Sequence, residues 1–133
     1  MQKITIQLIG LPCSGKSTFI KSYVDTRKEI SYIDIRDYEK YNSKSRDRIF
    51  KKDLKKARGK IICESACGVH LKNSEVVKLS IPIDEIYKRH IKREGYLDEE
   101  YISLLQSEMI PSKYTVSDTE SLEKVMDKLF NIG

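Results

Sequence analysis

The sequence predicts an α/β protein, a three-layer sandwich in which a five-stranded parallel sheet carries helices on both faces. Two observations predict this fold. Short apolar runs alternate with amphipathic helical patterns along the 133 residues, and a glycine-rich segment at 10–17 joins the first run to the first helix. No repeat, low-complexity linker or shift in composition divides the chain, so a single domain over residues 1–133 is expected.

Each strand is predicted from an apolar, β-branched run bounded by turn residues. The predicted strands cover residues 3–9, 31–35, 60–64, 76–81 and 114–116. The helices are predicted from apolar residues at spacings of three and four, and they cover about 16–25, 45–58, 83–93, 98–109 and the chain after Asp118. Gly59 and Gly95 are expected helix stops, and Asp98 is a good N-cap because acidic residues follow it.

Residues 10–17 read Gly-Leu-Pro-Cys-Ser-Gly-Lys-Ser, a complete G-x-x-x-x-G-K-[ST] phosphate loop (Walker A). Backbone N–H groups at the start of the helix would hold phosphate, Lys16 would reach the β- and γ-phosphates, and the Ser17 hydroxyl would hold Mg²⁺. A glycine-rich turn without a ligand is the alternative, and the flanking strand and helix argue against it. The predicted nucleotide-binding residues of this loop are Gly10, Pro12, Cys13, Ser14, Gly15, Lys16, Ser17 and Thr18.

Acidic residues follow the second and third predicted strands. The carboxyl ends of parallel strands meet at one edge of a sheet, so these residues are expected beside the phosphate loop. Asp37 is the preferred base for an attacking hydroxyl and Asp34 is the second choice, although both could be turn or cap residues. Glu64 occupies the Walker B position and would orient Mg²⁺ or its water, with an exposed strand-end carboxylate as the alternative.

Arg89 and Arg93 lie four residues apart on one face of the third predicted helix, in a region of about 82–96 that is predicted to be a lid. Two guanidinium groups at this spacing can clamp phosphate oxygens and stabilise transferring charge. A solvated basic helix is the alternative. His90, between the two arginines, is expected at the surface.

Ten basic and two acidic residues lie between positions 40 and 60, whereas the net charge of the whole chain is +5. This segment suggests a polyanionic partner such as nucleic acid, with Arg48 and Lys52 as candidate acceptor contacts; a solvated lysine-rich helix face is the alternative. No apolar stretch approaches the roughly 18 residues of a membrane span. No signal peptide is visible either, so a cytoplasmic location is expected, and the three cysteines, an odd number, are expected to be free thiols in that reducing compartment.

On these motifs the chain resembles the P-loop kinases of the polynucleotide kinase, gluconate kinase and zeta-toxin type, which share a nucleoside-kinase-like P-loop NTPase fold. The strand-two ending and the Lys-Arg-x-x-Lys-Arg lid look most like the 5′-hydroxyl kinase domain of phage polynucleotide kinases. Three departures accompany this resemblance: a short stretch between strands two and three, Glu64 in place of the usual Asp, and no phosphatase domain after it. The residues that carry the resemblance are 10–18, Arg36 with Asp37, Glu64, and 88–93.

The resemblance implies roles for several side chains. Asp37 corresponds to the general base and Arg93 to the catalytic lid arginine. Arg36 would meet a substrate phosphate, and Arg89 would be a second lid residue near ATP. The turn ending in Thr119 is similar to the adenine-side turn of the small-molecule kinases of this group.

The expected activity is ATP- and Mg²⁺-dependent transfer of the γ-phosphate to a hydroxyl, on a polynucleotide (a 5′-hydroxyl or a modified base) or on a nucleotide. A small-molecule kinase for a nucleoside, nucleotide or sugar is the alternative. A third interpretation is a nucleotide-binding module or regulatory ATPase that transfers little, but such a protein would not need Asp37 or the arginine pair. A GTPase is disfavoured because no Asn-Lys-x-Asp motif is present. The sequence indicates no oligomeric state.

Overall fold

The computed structural model describes residues 3–132 and confirms the predicted three-layer α/β architecture. Within these residues the strands are β1 (Ile4–Ile9), β2 (Ile30–Asp34), β3 (Lys60–Ser65), β4 (Ser74–Leu79) and β5 (Tyr114–Val116). The helices are α1 (Lys16–Asp25), α2 (Ser43–Lys56), α3 (Ile83–Glu94), α4 (Glu99–Glu108) and α5 (Thr119–Leu129), and a 3-10 turn covers Ile35–Tyr38. The strands form one parallel sheet in the order β2-β3-β1-β4-β5.

The central strand, β1, delivers the phosphate loop from the middle of the sheet. Ile6 of β1 pairs in register with Ile62 of β3 on one side and with Glu75 of β4 on the other. Residues 5–9 are all buried, because helices cover both faces of the sheet at this strand. The loop that follows β1 therefore starts from the best-protected part of the fold.

Alternate residues of β3 face the two helical layers. Ile62 packs in the larger core cluster with Ile20 of α1 and Met126 of α5, whereas Ile61 packs against Phe50 of α2 on the opposite face. This alternation follows from the two-residue period of a strand. Helix α1 is thus anchored on one face of the sheet and α2 on the other.

A third apolar cluster lies under α3 and α4, around Leu11, Ile86 and Ile102. His90 of α3 is only 4% exposed, so the prediction of a surface histidine was wrong. It follows Ile86 by one helical turn and therefore shares its inward face. Its ring lies edge-on to Tyr96 with 6.1 Å between centroids, and neither ring nitrogen has a hydrogen-bond partner among the described residues.

Most helix boundaries follow the predicted capping residues. Asp98 and Asp118 cap α4 and α5 by accepting hydrogen bonds from backbone N–H groups, and Gly95 ends α3 in the left-handed conformation. Helix α2 begins earlier than predicted, since Asn42 accepts a hydrogen bond from the Ser45 N–H at 3.0 Å and caps it. Across residues 3–132, no helix has both the length and the apolar character that crossing a membrane requires.

Helices α1 and α5 are joined by a polar network at the far end of α1. The Tyr23 hydroxyl donates to Asp127 Oδ1 at 2.7 Å, and Arg27 Nε donates to the same oxygen at 2.9 Å. Arg27 Nη2 also reaches Glu123, and its guanidinium lies 4.0 Å from the centroid of the Tyr23 ring. Burial and then the hydrogen bond to Asp127 raise the pKa of Tyr23. The network fixes the helix that carries the end of the phosphate loop.

Candidate active site

The phosphate loop turns sharply between β1 and α1 because two glycines permit it. A Cβ atom on Gly10 would lie 2.7 Å from the carbonyl oxygen of Leu79, so only glycine fits against β4 at this position. Gly15 has a φ of +97° and is the N-cap of α1, a left-handed conformation that strains other residues. The loop therefore presents the N-terminus of α1, where backbone N–H groups favour anions.

Lys16 lies inside this loop rather than in solvent. Its Nζ donates to the carbonyl oxygens of Gly10 at 2.6 Å and Leu11 at 3.1 Å. Burial lowers the pKa of Lys16 to about 8, and the nearby Glu64 carboxylate opposes part of that effect. At neutral pH the side chain is thus mostly an ammonium, held where a phosphate on the loop would meet it.

Ser17, Glu64 and Tyr32 form a hydrogen-bonded group beside the loop. The Ser17 hydroxyl lies 2.9 Å from Glu64 Oε2 and donates to that carboxylate, which is 6% exposed at the end of β3. The Tyr32 hydroxyl lies 2.5 Å from Glu64 Oε1 and 2.9 Å from Asp34 Oδ2. A tyrosine hydroxyl carries one proton, so these two carboxylates share a single donor. Burial and then the Glu64 contact raise the pKa of Tyr32.

Asp34 ends β2 next to this group and is held by Arg36. The Arg36 Nε and Nη2 atoms donate to Asp34 Oδ2 at 2.9 and 2.6 Å, and the Arg36 backbone N–H donates to Oδ1 at 2.9 Å. Burial would raise the pKa of Asp34, but the hydrogen bonds from Arg36 outweigh it and leave the pKa lowered. Asp34 is therefore an ionised carboxylate near neutral pH.

The oxygens of Ser17 and Glu64 fit the ligand chemistry of Mg²⁺. A hydroxyl and a carboxylate 2.9 Å apart at the loop are hard oxygen donors, and Mg²⁺ ordinarily takes one or two such protein ligands together with substrate phosphates and water. Among residues 3–132 no group of three or more His, Cys, Asp or Glu side chains could hold a metal ion. The two-ligand arrangement thus suits a metal that is shared with a nucleotide.

A cavity of about 900 Å³ opens where these groups meet. It is bounded by the phosphate loop, by the ends of β2 and β3, by α2, by the loop after β3 and by α3 and α4. Arg89 of α3 reaches the loop itself, since its Nη1 donates to the Cys13 carbonyl oxygen at 3.0 Å. The charged residues that line the cavity are Lys16, Asp34, Arg36, Glu39, Arg46, Asp47, Lys51, Glu64, Arg89, Arg93 and Glu108.

Solved structures share this architecture. Shikimate kinase from Acinetobacter baumannii, in complex with shikimate, matches with a TM-score of 0.70 and 13% identity over 98% of this chain and 94% of that one. A gluconokinase from Sinorhizobium meliloti 1021 matches with a TM-score of 0.64 and 12% identity, over 96% of this chain and 91% of the other. The chain has the fold of the P-loop kinases.

A further solved structure matches over nearly the full length of both chains. The tunicamycin resistance protein of Deinococcus radiodurans has a TM-score of 0.66 at 9% identity and covers 99% of this chain and 98% of its own. No protein-family model and no curated protein matches the sequence. The likeness therefore establishes the fold, and the finer resemblance to phage polynucleotide kinases stays a prediction.

Most of the predicted site residues lie in the cavity of this P-loop kinase fold. The loop residues 12–18 line it together with Asp34, Arg36, Glu64 and the arginine pair of α3. Gly10 lies just beneath, where its carbonyl oxygen accepts the hydrogen bond from Lys16. The structure therefore brings these predicted residues together, while their catalytic and binding roles stay predictions.

Four predicted residues lie outside the cavity. Asp37 is exposed on the 3-10 turn and lines a separate cavity of about 360 Å³ with Tyr38 and Tyr41. Asp34, the second choice for the base, lines the main cavity instead. The other three, all exposed and none of them lining the cavity, are Arg48, Lys52 and Thr119.

Sequence reasoning missed Tyr32, whose hydroxyl contacts Asp34 and Glu64, and two cations of α2 that line the cavity. Tyr32 precedes Asp34 by two positions on a strand, so the strand period alone would have placed both side chains on one face. Arg46 precedes the buried Phe50 by four positions in α2, a spacing that indicates the inward face of the helix. Lys51 follows Phe50 directly and is half-buried at the cavity. Helical phase is thus the signal that separates these cations from Arg48 and Lys52.

Proposed function

We propose that the protein is an ATP- and Mg²⁺-dependent kinase that transfers the γ-phosphoryl group to a hydroxyl of a small, negatively charged molecule. One observation carries this proposal: a single cavity joins the phosphate-binding group of Lys16, Ser17 and Glu64 to Asp34 and to the cations of α2. A nucleotide-binding module would need only the first of these sets.

The phosphate half of the cavity supplies positioning and charge. Lys16 would donate to the β- and γ-phosphates, and Arg89 and Arg93 would contact the transferring group from α3. Ser17 and Glu64 would hold Mg²⁺, which would offset the negative charge of the phosphates. Arg89 already lies against the loop through its hydrogen bond to Cys13, so little movement is needed for it to meet a nucleotide.

Asp34 would orient the acceptor and receive its proton. Its carboxylate is ionised at neutral pH and fixed by Arg36, and Oδ1 accepts a single backbone hydrogen bond, which leaves capacity for a hydroxyl donor. The acceptor oxygen would attack the γ-phosphorus while the bond from phosphorus to the bridging oxygen of ADP breaks. The hydroxyl proton would pass to Asp34, a step that needs only ordinary carboxylate basicity because it comes late in such transfers.

Arg46 and Lys51 support an acceptor with a carboxylate or phosphate group. Both are cavity-lining cations on the inward side of α2. The buried Nε atom of Arg46 lies 3.5 Å from Asp47 Oδ1, but it has no hydrogen-bond partner among the described residues. A guanidinium can bind a planar anion through two parallel hydrogen bonds. The cavity volume is at the upper end of small-ligand pockets, where a triphosphate and a compact acceptor would fit together.

A polynucleotide acceptor is the second candidate, and one observation favours it. The outward face of α2 carries a row of exposed cations at spacings of three and four, and the only ion pair among the described residues of 40–60 joins Arg46 to Asp47. Phosphates of a nucleic-acid strand could lie along this row. The members of the row are Lys44, Arg48, Lys52 and Lys55.

The experiment is phosphotransfer from γ-labelled ATP with Mg²⁺ to a panel of acceptors, with the Lys16→Ala variant as control. The panel pairs hydroxylated acids and sugar phosphates with their neutral analogues, and adds nucleosides, nucleotides and 5′-hydroxyl oligonucleotides. We expect label on an anionic small molecule and little on its neutral partner. Label on oligonucleotides alone would move the proposal to the second candidate. Free phosphate without a labelled acceptor across a broad panel would favour a regulatory ATPase.

A further inference from the structure

Arg36 contacts the same hydroxyl that the metal ion would use. Its Nη2 donates to Ser17 Oγ at 2.8 Å, and the same nitrogen lies 3.8 Å from Glu64 Oε1. Both proposed metal ligands are therefore next to a guanidinium in this structure. The contact is specific, because Ser17 is also oriented by donating its own proton to Glu64.

We propose that Arg36 and the divalent metal compete for Ser17, which makes Arg36 a positioning residue that sets how strongly the metal supports nucleotide binding. This inference rests on the proposed function, since it needs a nucleotide on the phosphate loop. It differs from the role expected from the sequence, in which Arg36 meets a substrate phosphate. Arg36 can fill the two roles in turn, since it would meet a substrate phosphate only after it has left Ser17.

The competition follows from charge at one oxygen. Ser17 Oγ donates its proton to Glu64 and accepts from Arg36 Nη2 at 2.8 Å, which leaves its second lone pair beside the guanidinium. A guanidinium nitrogen and a divalent cation on one oxygen would also repel each other strongly in a partly buried site. A divalent metal at Ser17 would therefore favour withdrawal of the Nη2 atom from this oxygen.

The withdrawal requires a small movement. The Arg36 side chain is 58% exposed, so solvent and cavity space adjoin it. Nη2 also donates to Asp34 Oδ2 at 2.6 Å, so moving it off Ser17 loosens that bond as well, while Nε and the backbone N–H can still donate to Asp34. Asp34 thus keeps Arg36 close to the site in both arrangements, and the change is confined to the two hydrogen bonds of Nη2.

Arg36 stabilises the site when no metal is bound. Two carboxylates, Asp34 and Glu64, lie close enough to share the Tyr32 hydroxyl, and Arg36 supplies positive charge beside them. Loss of Arg36 would consequently lower the stability of the nucleotide-free protein while it strengthens the effect of the metal. A purely structural role would produce the first change without the second.

The test measures ADP affinity with Mg²⁺ and with EDTA, since the ratio of the two affinities reports how strongly metal and nucleotide support each other. We expect Arg36→Gln to raise this ratio by about fivefold or more, at the lower end of couplings between linked ligands. Arg46→Gln is the matched control: it removes the same charge from the same cavity, but Arg46 has no contact with Ser17. Its ratio should stay near that of the parent protein.

A second background separates competition at Ser17 from a general effect of charge. In Ser17→Ala the contested hydroxyl is gone, so adding Arg36→Gln should change the ratio little. If Arg36→Gln folds poorly, Arg36→Lys takes its place in the test. A lysine keeps the positive charge near Asp34, but it cannot contact Asp34 and Ser17 at the same time. Thermal melting without nucleotide checks that every variant is folded.

The outcomes are distinct. An Arg36→Gln ratio no larger than that of Arg46→Gln, or an equal rise in the Ser17→Ala background, would overturn the competition while leaving the kinase proposal intact. Failure of the parent protein to bind ADP in either condition would overturn both. A rise that appears only when Ser17 is present would establish it.

Discussion

The two halves of the cavity differ in whether backbone groups or side chains form them. The phosphate half is one contiguous stretch, residues 10–18, whose shape comes from two glycines and the start of α1, with Glu64 added from β3. The acceptor half gathers side chains from β2 and α2, and these are held by ion pairs such as Arg36 with Asp34. Backbone groups dominate the first half and side chains the second. Acceptor preference can thus change through a few substitutions, while the phosphate half tolerates little change.

The largest expected effect is in the phosphate half. Lys16→Ala should reduce phosphotransfer by about 10³-fold or more, because the variant loses the ammonium that lies inside the loop and would contact the transferring phosphate. Initial rates with labelled ATP measure the loss. Melting should show that the variant is at least as stable as its parent, since the Lys16 ammonium is buried at the expense of hydration. Retained transfer in a folded variant would remove the phosphate-loop mechanism.

In the acceptor half, a matched pair tests which aspartate acts. Asp34→Asn should slow transfer by about 10²-fold, the ordinary contribution of a general base, with ADP affinity largely kept. Asp37→Asn should leave the rate nearly unchanged, because Asp37 lines the other cavity. A slow Asp37→Asn enzyme beside a normal Asp34→Asn enzyme would restore the preference drawn from the sequence.

A second pair compares the two faces of α2. Arg46→Gln should raise the KM for an anionic acceptor by about 30-fold, the loss of one hydrogen-bonded charge pair. Arg48→Gln, two residues along the same helix, should have no effect on a small acceptor, since Arg48 is exposed. The reverse order, with a KM that depends strongly on salt, would point to a polynucleotide on the outer face.

The smallest expected effect is a pH dependence confined to the phosphate half. Lys16 has a pKa lowered to about 8, so it is charged below that pH and loses its proton above it. ADP affinity should therefore fall by about tenfold from pH 7 to pH 9 as the ammonium is lost. Acceptor affinity should stay level, because the pKa of Asp34 is lowered and its carboxylate is ionised throughout. A calorimetric titration of each ligand checks both, and level ADP affinity would contradict the prediction.

The residues of the phosphate half could be predicted from the sequence more directly than those of the acceptor half. The phosphate loop is local, so its motif identified both the fold and Lys16 with Ser17. Glu64 was equally accessible, because a strand that ends beside the loop leaves its last residues at the site. These predictions depended on neighbours in sequence and on one rule of parallel sheets, and no side-chain packing had to be known.

Predicting the acceptor half required the conformation of the turn after β2 and the helical phase of α2. Strand β2 ends at Asp34, a residue earlier than predicted, and the 3-10 turn that follows carries Asp37 away from the cavity. In α2 the number of charged residues does not show which way each side chain points. Arg46 shares the face of Phe50, whereas Arg48 is two positions from Phe50 and points outward. Composition records how many cations a segment has, and only the register of the helix determines which ones enter a site.

The position of β2 at the edge of the sheet has a consequence for how the protein opens. β1 is hydrogen-bonded to a strand on each side, whereas β2 is bonded only to β3. An edge strand can detach by breaking one ladder, so backbone amides of β2 should exchange with solvent sooner than those of β1. The chain can thereby loosen around Asp34 while β1, paired on both sides, still holds the phosphate loop in place.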